Sequence, residues 1–168
     1  MRVFRLATGG LLTLSLIPAL ILSLVLGSPA VADVADYPAI KVTRVVASGL
    51  DTPWGLAFLP DGSALVSERD SGKIKRIDPR GRVGTNVTTV GRIKGVASAG
   101  EGGLLGIAVA TPQGSSAPVL FAYLTSRSDN RVVRVQLLKG GKRLGKQQPI
   151  VTRIPKATNH NGGRLLVG

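Results

Sequence analysis

Apolar residues in this chain fall into short runs separated by turn residues about every ten positions, a rhythm that predicts strands rather than helices. Ile40–Val46 alternates and is rich in β-branched residues, so a strand is expected there, with Leu50-Asp51-Thr52-Pro53 turning the chain. Trp54–Phe58 is continuously apolar, the pattern of a strand buried on both faces, with Trp54 read as core packing. Pro60-Asp61-Gly62 is a turn with a mechanism, since proline presets φ and glycine accepts a positive one. Ala64–Arg69 and Lys73–Asp78 follow as strands, separated by Asp70-Ser71-Gly72 and closed by Pro79-Arg80-Gly81. Three short strands, the inner one more apolar than the outer ones, read as one blade of an antiparallel sheet.

The pattern then recurs. Gly103–Val109 is a second apolar inner strand, about 50 residues after the first. Pro118–Leu124 and Arg131–Leu137 are its expected neighbours, joined by a turn at Ser126–Asn130, and Gln148–Ile154 supplies a fourth strand. A third inner strand is expected at Gly163–Val167. No stretch reads as a long amphipathic helix. Repeats of this size in all-β sequence predict a β-propeller, here about two blades and the first strand of a third. Closed propellers need at least four blades, so the stretch is expected to be the N-terminal part of a longer protein.

The first 32 residues follow different rules. Arg2 and Arg5 precede an uncharged run, Leu11–Leu26, and Ser28-Pro29-Ala30-Val31-Ala32 offers a small-x-small cleavage site. Residues 1–32 are therefore expected to be a secretory signal peptide, with an uncleaved anchor as the alternative, and residues 33–168 the propeller part. That places the protein outside the cytoplasm, secreted, periplasmic or at the cell surface, with no stable membrane insertion once the signal is removed. The absence of cysteine excludes disulfides and thiol chemistry.

The formal charge is +13, and it is uneven. Asp33–Asp78 holds seven acids and six bases, whereas Arg131–Lys156 holds eight bases and no acid. Such a stretch attracts anions, or it is simply a solvated strand face. Nucleic acid is excluded as a partner for an exported chain with so few aromatic residues to stack on bases.

Candidate chemistry concentrates in Thr158-Asn159-His160-Asn161-Gly162-Gly163-Arg164. His160 is the sole histidine, the one side chain whose ordinary pKa lets it exchange a proton near neutrality. A polar, glycine-rich loop emptying into a strand suits the presentation of such a group, although a lone histidine can equally be a structural or solvent-facing residue. No P-loop, zinc spacing or nucleophile elbow is present. Asn86-Val87-Thr88 matches a glycosylation sequon, a short and common pattern.

Three segments, Leu50–Arg69, Gly100-Glu101-Gly102-Gly103-Leu104-Leu105-Gly106-Ile107-Ala108 and Asn159–Leu165, in this order and spacing, resemble the opening blades of the glucose/sorbosone dehydrogenase family. The resemblance implies a soluble, exported, six-bladed propeller that oxidises aldose sugars to lactones with pyrroloquinoline quinone, usually with calcium, and passes electrons to an external acceptor. The family's catalytic base maps onto His160. Asn159 stands where the best-known glucose-oxidising members carry an aspartate that orients the histidine. Glu101 stands where some members carry a glutamine near substrate and quinone. The family's cofactor clamp and calcium ligands lie on later blades, so no metal ligand is expected here and the stretch by itself is expected to be inactive. Arg127, Arg131 and Lys156 are the alternative cations for an anionic ligand. The competing expectations are a non-catalytic extracytoplasmic propeller that binds carbohydrate or protein, and, more remotely, a lactone-hydrolysing propeller with a central metal.

Overall fold

The structure, a computed structural model, describes residues 40–168, so the segment read as a signal peptide lies outside the described residues. Every described strand belongs to the unit Val42–Gly168.

Eight strands form in chain order: β1 (Pro53–Phe58), β2 (Ala64–Glu68), β3 (Lys73–Ile77), β4 (Val87–Arg92), β5 (Leu104–Ala110), β6 (Val119–Thr125), β7 (Asn130–Leu138) and β8 (Arg143–Ile154). They make two four-stranded antiparallel meanders, ordered β1-β2-β3-β4 and β5-β6-β7-β8. Within each sheet every strand pairs with its sequence neighbour, and tight turns reverse the chain between β1 and β2 and between β2 and β3, where Gly62 (φ 81°) and Gly72 (φ 68°) adopt the left-handed conformations these turns require. The two sheets are the two expected blades.

One core lies between them. Leu65, Ile74 and Ile93 of the first blade pack with Leu104, Leu120, Leu124 and Val133 of the second. Smaller clusters cover the other faces. Ala64, Val66 and Ile77 pack under Ala47 and Leu50, and Leu105, Tyr123 and Val132 under Ile154 and Leu165. Burying each large aliphatic side chain contributes about 1.5–3 kcal/mol. The shared core therefore ties the blades into one unit.

Several expectations are corrected. Residues 40–50 carry no regular structure, so the Ile40–Val46 strand does not form. Extended backbone needs a ladder partner, and no described strand pairs with it. β1 is not buried on both faces: Leu56 and Phe58 are 57% and 68% exposed. Only one face of β1 meets the second blade, and no described element covers the other. Trp54 is not core either. It is 52% exposed, with the Arg69 guanidinium 5.2 Å from its ring centroid, a cation–π contact at the surface.

Strand β4 is not among the strands expected from the sequence, where Asn86-Val87-Thr88 reads as a sequon. Asn86 is buried and its Nδ2 donates to the Val46 carbonyl at 2.9 Å and the Asp78 carbonyl at 3.0 Å, so this amide is structural rather than a glycan acceptor. β8 begins at Arg143 instead of Gln148 and reaches Ile154 through several register shifts. Pro149 is tolerated there because β8 is an outermost strand with a non-pairing edge. Gly163–Val167 lies beside β5 in the expected place of a third inner strand, but without ladder bonds among the described residues.

Candidate active site

The starts of β1 and β5, the ends of β2 and β6, and the loop ahead of Gly163 all gather at one end of the two blades. The turn before β5 carries Glu101, and the loop after β8 carries His160. Sequence distance between them is 59 residues, yet they touch: the His160 backbone N–H donates to Glu101 Oε2 at 2.7 Å. The Glu101 N–H donates in turn to the Thr158 carbonyl at 2.9 Å. Gly100 (φ 56°) makes this approach feasible, because a side chain there would strike the Thr158 carbonyl.

His160 itself has φ 56°. A left-handed conformation is uncommon for a residue with a Cβ, although histidine adopts it more readily than most. The neighbours that hold it lie on either side. Asn161 is buried, and its side chain closes a ring with Ala157: Nδ2 donates to the Ala157 carbonyl at 2.9 Å, and Oδ1 accepts from the Ala157 N–H at 3.1 Å. The same Oδ1 accepts from Asn130 Nδ2 at 3.0 Å. Asn130 also donates to the Pro155 carbonyl at 2.9 Å and accepts from Thr125 Oγ1 at 2.7 Å. The Tyr123 hydroxyl donates to the Asn161 carbonyl at 2.9 Å. A buried polar network of this kind is worth having only when every member is satisfied, and here the amides and hydroxyls of Thr125, Asn130 and Asn161 all find partners. Burial pushes the Tyr123 phenol above its ordinary pKa, which keeps it a neutral donor.

The imidazole is exposed, and its ring makes no hydrogen bond among the described residues. Asn159 is exposed too, and its side chain makes none. The structure thus joins His160 and Glu101 through the backbone and leaves Asn159 apart from both.

Arg69 and Asp70 border the same end. Arg69 Nε donates to Asp70 Oδ1 at 2.8 Å, which raises the guanidinium pKa and lowers that of the carboxyl. Below the loop, Asp129 accepts from Ser126 Oγ at 2.6 Å, the Arg153 N–H at 2.7 Å and Arg131 Nε at 2.7 Å. Those bonds, the Ser126 hydroxyl foremost, hold its pKa down to about 2. Arg131 is thereby committed to Asp129, and Lys156 Nζ donates to the Ser126 carbonyl at 3.0 Å. Neither is an unengaged anion ligand. An opening of about 580 Å³ lies next to the loop, lined by Trp54, Leu56, Ile107, Gly163, Arg164 and Leu166. His160 is outside it, two residues before the lining begins at Gly162.

Asn130, Tyr123 and Thr125 are site residues the sequence did not reveal. Asn130 reads as a turn residue and Tyr123 as a core aromatic, and nothing in the spacing says that both aim at Asn161. Among the described residues, no group of three or more His, Cys, Asp or Glu is placed to hold a metal ion.

Two four-stranded antiparallel blades, packed on a common core with their inner strands adjacent, define a protein of the β-propeller class. A family model described as Glucose / Sorbosone dehydrogenase matches residues 50–168. Among solved structures, the PQQ-bound aldose sugar dehydrogenase of Streptomyces coelicolor is 48% identical with a TM-score of 0.66, covering 74% of this chain and 37% of its own. A Thermus thermophilus protein described as an oxidoreductase (glucose dehydrogenase) by assignment is 36% identical with a TM-score of 0.60, over 72% of this chain and 35% of its own. Among curated proteins, quinoprotein glucose dehydrogenase B of Acinetobacter calcoaceticus is 27% identical over 135 residues, 74% of this chain and 28% of that protein. The chain thus spans about a third of the length of these relatives. It belongs to the glucose/sorbosone dehydrogenase family.

Proposed function

We propose that this stretch supplies the proton-accepting side of a quinone-dependent aldose dehydrogenase, with His160 as the general base. The observation that carries the reading is an exposed imidazole, unengaged at its ring, on a loop whose backbone is held from both sides. Oxidation of an aldose to its lactone removes a proton from the anomeric hydroxyl and a hydride from the anomeric carbon. A base within hydrogen-bond reach of that hydroxyl lowers the barrier to the first loss. A ring nitrogen of His160 takes this proton.

Pyrroloquinoline quinone is proposed as the hydride acceptor, on family membership and on the PQQ-bound Streptomyces relative. Its carboxylates call for several convergent cations. In the described residues Arg69 is committed to Asp70, Arg131 to Asp129 and Lys156 to the Ser126 carbonyl. These residues do not clamp the quinone, so the clamp is assigned to the part of the family's propeller that this stretch does not span. Calcium is carried over with the quinone on the same ground. The partners are an aldose sugar and an external electron acceptor, and the stretch alone is expected to be inactive. Cleavage after Ala32 and an extracytoplasmic location complete the proposal; N-terminal sequencing of exported protein should start at Asp33. No helix among the described residues is long and apolar enough to cross a membrane.

The test uses the full-length protein carrying this stretch, reconstituted with the quinone and calcium and assayed on several aldoses with a dye acceptor. His160→Ala should lower kcat about 100-fold or more, in the range expected for a lost general base. Equal rates remove the assignment. A second reading, a propeller that binds carbohydrate or protein without oxidising it, draws on Asn159, an amide without a partner where an orienting carboxylate would stabilise an imidazolium. Sugar binding with no dye reduction in the reconstituted wild type would favour it.

A further inference from the structure

We infer that Glu101 is a positioning residue that sets the place of His160 through the backbone, by the reach of its side chain rather than by its charge. The inference rests on His160 as the base. Glu101 meets the His160 loop twice, with its N–H on the Thr158 carbonyl and its Oε2 on the His160 N–H. These two bonds bracket Asn159. A chain pinned on both sides of one residue has little freedom to choose another conformation for the next.

The conformation being held is one that needs holding. His160 sits at φ 56°, where the Cβ crowds the following carbonyl, and no ladder bond from a described strand supports residues 158–163. Asn161 anchors the loop just after His160, into the network with Asn130 and Tyr123. Without the Glu101 side chain, the backbone bond from residue 101 to the Thr158 carbonyl would remain, but the His160 N–H would lose its acceptor. The turn that presents Glu101 is itself built for close approach. Gly100 lies against Thr158, and Gly103 (φ 146°) passes so close to the Arg69 carbonyl that a side chain there would collide with it. The Leu104 N–H donates to that same carbonyl at 2.9 Å, which locks the turn to the first blade.

Reach and charge are separable. The Arg69 guanidinium is stabilised mainly by Asp70 and secondarily by Glu101. Glu101→Gln removes that attraction but keeps an oxygen at the same distance to accept from the His160 N–H. Glu101→Asp keeps the charge and withdraws the oxygen by one methylene. Glu101→Ala loses both. Glu101 is exposed, so none of these changes opens a cavity in the core.

Two measurements on the full-length protein test this. The first is independent of activity: hydrogen exchange of the His160 amide, assigned by comparing histidine-labelled wild type with His160→Ala. Loss of a hydrogen bond to a charged acceptor should speed that exchange about tenfold or more in Glu101→Ala and Glu101→Asp, with Glu101→Gln close to wild type. The second is the split between kcat and KM in the reconstituted enzyme. Glu101→Ala and Glu101→Asp should lose up to about 100-fold in kcat with little change in KM for the aldose, and Glu101→Gln should restore most of it, as expected when a reacting group is displaced by about an ångström. Unchanged exchange in Glu101→Ala overturns the inference. So does the opposite ranking, with Glu101→Asp active and Glu101→Gln inactive, which would make Glu101 a charged contact to substrate. Full activity of Glu101→Ala beside an inactive His160→Ala sinks the positioning role alone. Full activity of both sinks the assignment of His160 while the exchange result still reports the backbone clamp.

Discussion

The two blades are built on one plan and finished differently. In each, the inner strand carries a bulge at the same place: pairing shifts between Pro53 and Leu56 in β1, and between Leu104 and Ile107 in β5. A glycine sits in each bulge, Gly55 in Trp54-Gly55-Leu56-Ala57 and Gly106 in Leu105-Gly106-Ile107-Ala108. Each glycine admits a carbonyl of the next inner segment. A Cβ on Gly55 would come 2.9 Å from the Leu105 oxygen, and one on Gly106 would strike the Gly163 oxygen. The residues facing these bulges, Ser67 on β2 and Tyr123 on β6, repeat the logic. Ser67 Oγ donates to the Leu105 carbonyl at 2.7 Å, and the longer Tyr123 donates to Asn161. One blade uses this device to bind its neighbour, the other to bind the loop that presents His160. The difference teaches that the candidate site reuses the blade-to-blade joint. A short hydroxyl suffices between two strands, whereas a tyrosine reaches an irregular loop.

Three experiments bear on that comparison. The largest effect is expected in the shared core, where Leu65 of the first blade and Leu124 of the second are both fully buried. Leu65→Ala and Leu124→Ala should each cost about 2–5 kcal/mol in urea unfolding, with both blades lost in a single transition. Two separable transitions would show that the blades do not share a core.

Gly55→Ala and Gly106→Ala probe the joint itself. Gly55 is wedged between two paired sheets, so its variant should destabilise by about 1–3 kcal/mol through overpacking. Gly106 abuts a segment without ladder bonds, which can shift. Its variant should lower the melting temperature less than Gly55→Ala does, yet displace the His160 loop and reduce more the aldose-dehydrogenase activity proposed for the full-length protein. A reversed order in the thermal melts would sever the functional half of the comparison.

The smallest effect is expected with acid. Asp61 in the first blade and Asp129 in the second are both held at about pKa 2, chiefly by Ser63 and Ser126. Their ordinary value is about 4. A carboxyl whose folded pKa is depressed contributes stability that is present above the unfolded value and lost as pH falls through the folded one. Stability should therefore fall from about pH 4 to about pH 2. Asp129→Asn should flatten that fall more than Asp61→Asn, because Asp129 is buried whereas the Asp61 carboxyl is half exposed and screened by water. Equal slopes in the two variants, measured by melting temperature against pH, would remove the distinction.

Strands β1, β2, β3, β5, β6 and β7 were legible in the sequence nearly to their ends, because each is a short apolar or alternating run closed by a turn residue with its own mechanism. The propeller class and the family followed from their repetition and from the Gly-Glu-Gly-Gly and Asn-His-Asn-Gly-Gly segments. β4 was not legible: Val87-Thr88-Thr89-Val90 is half polar and acquires its strand character from the ladder with β3. Nor was the exposure of Trp54, Leu56 and Phe58, since an apolar run records how many faces are greasy and not how many are covered.

The same boundary runs through the site. Residue type alone singled out His160, because one histidine in the chain leaves no competitor for proton exchange near neutrality. That Glu101 holds its backbone, that Asn130 and Tyr123 hold Asn161, and that the Asn159 side chain meets no partner among the described residues were decided by tertiary structure. Hydrogen bonds between a turn and a loop 59 residues apart depend on where two blades bring their ends, and no local pattern of polar and apolar residues encodes that meeting.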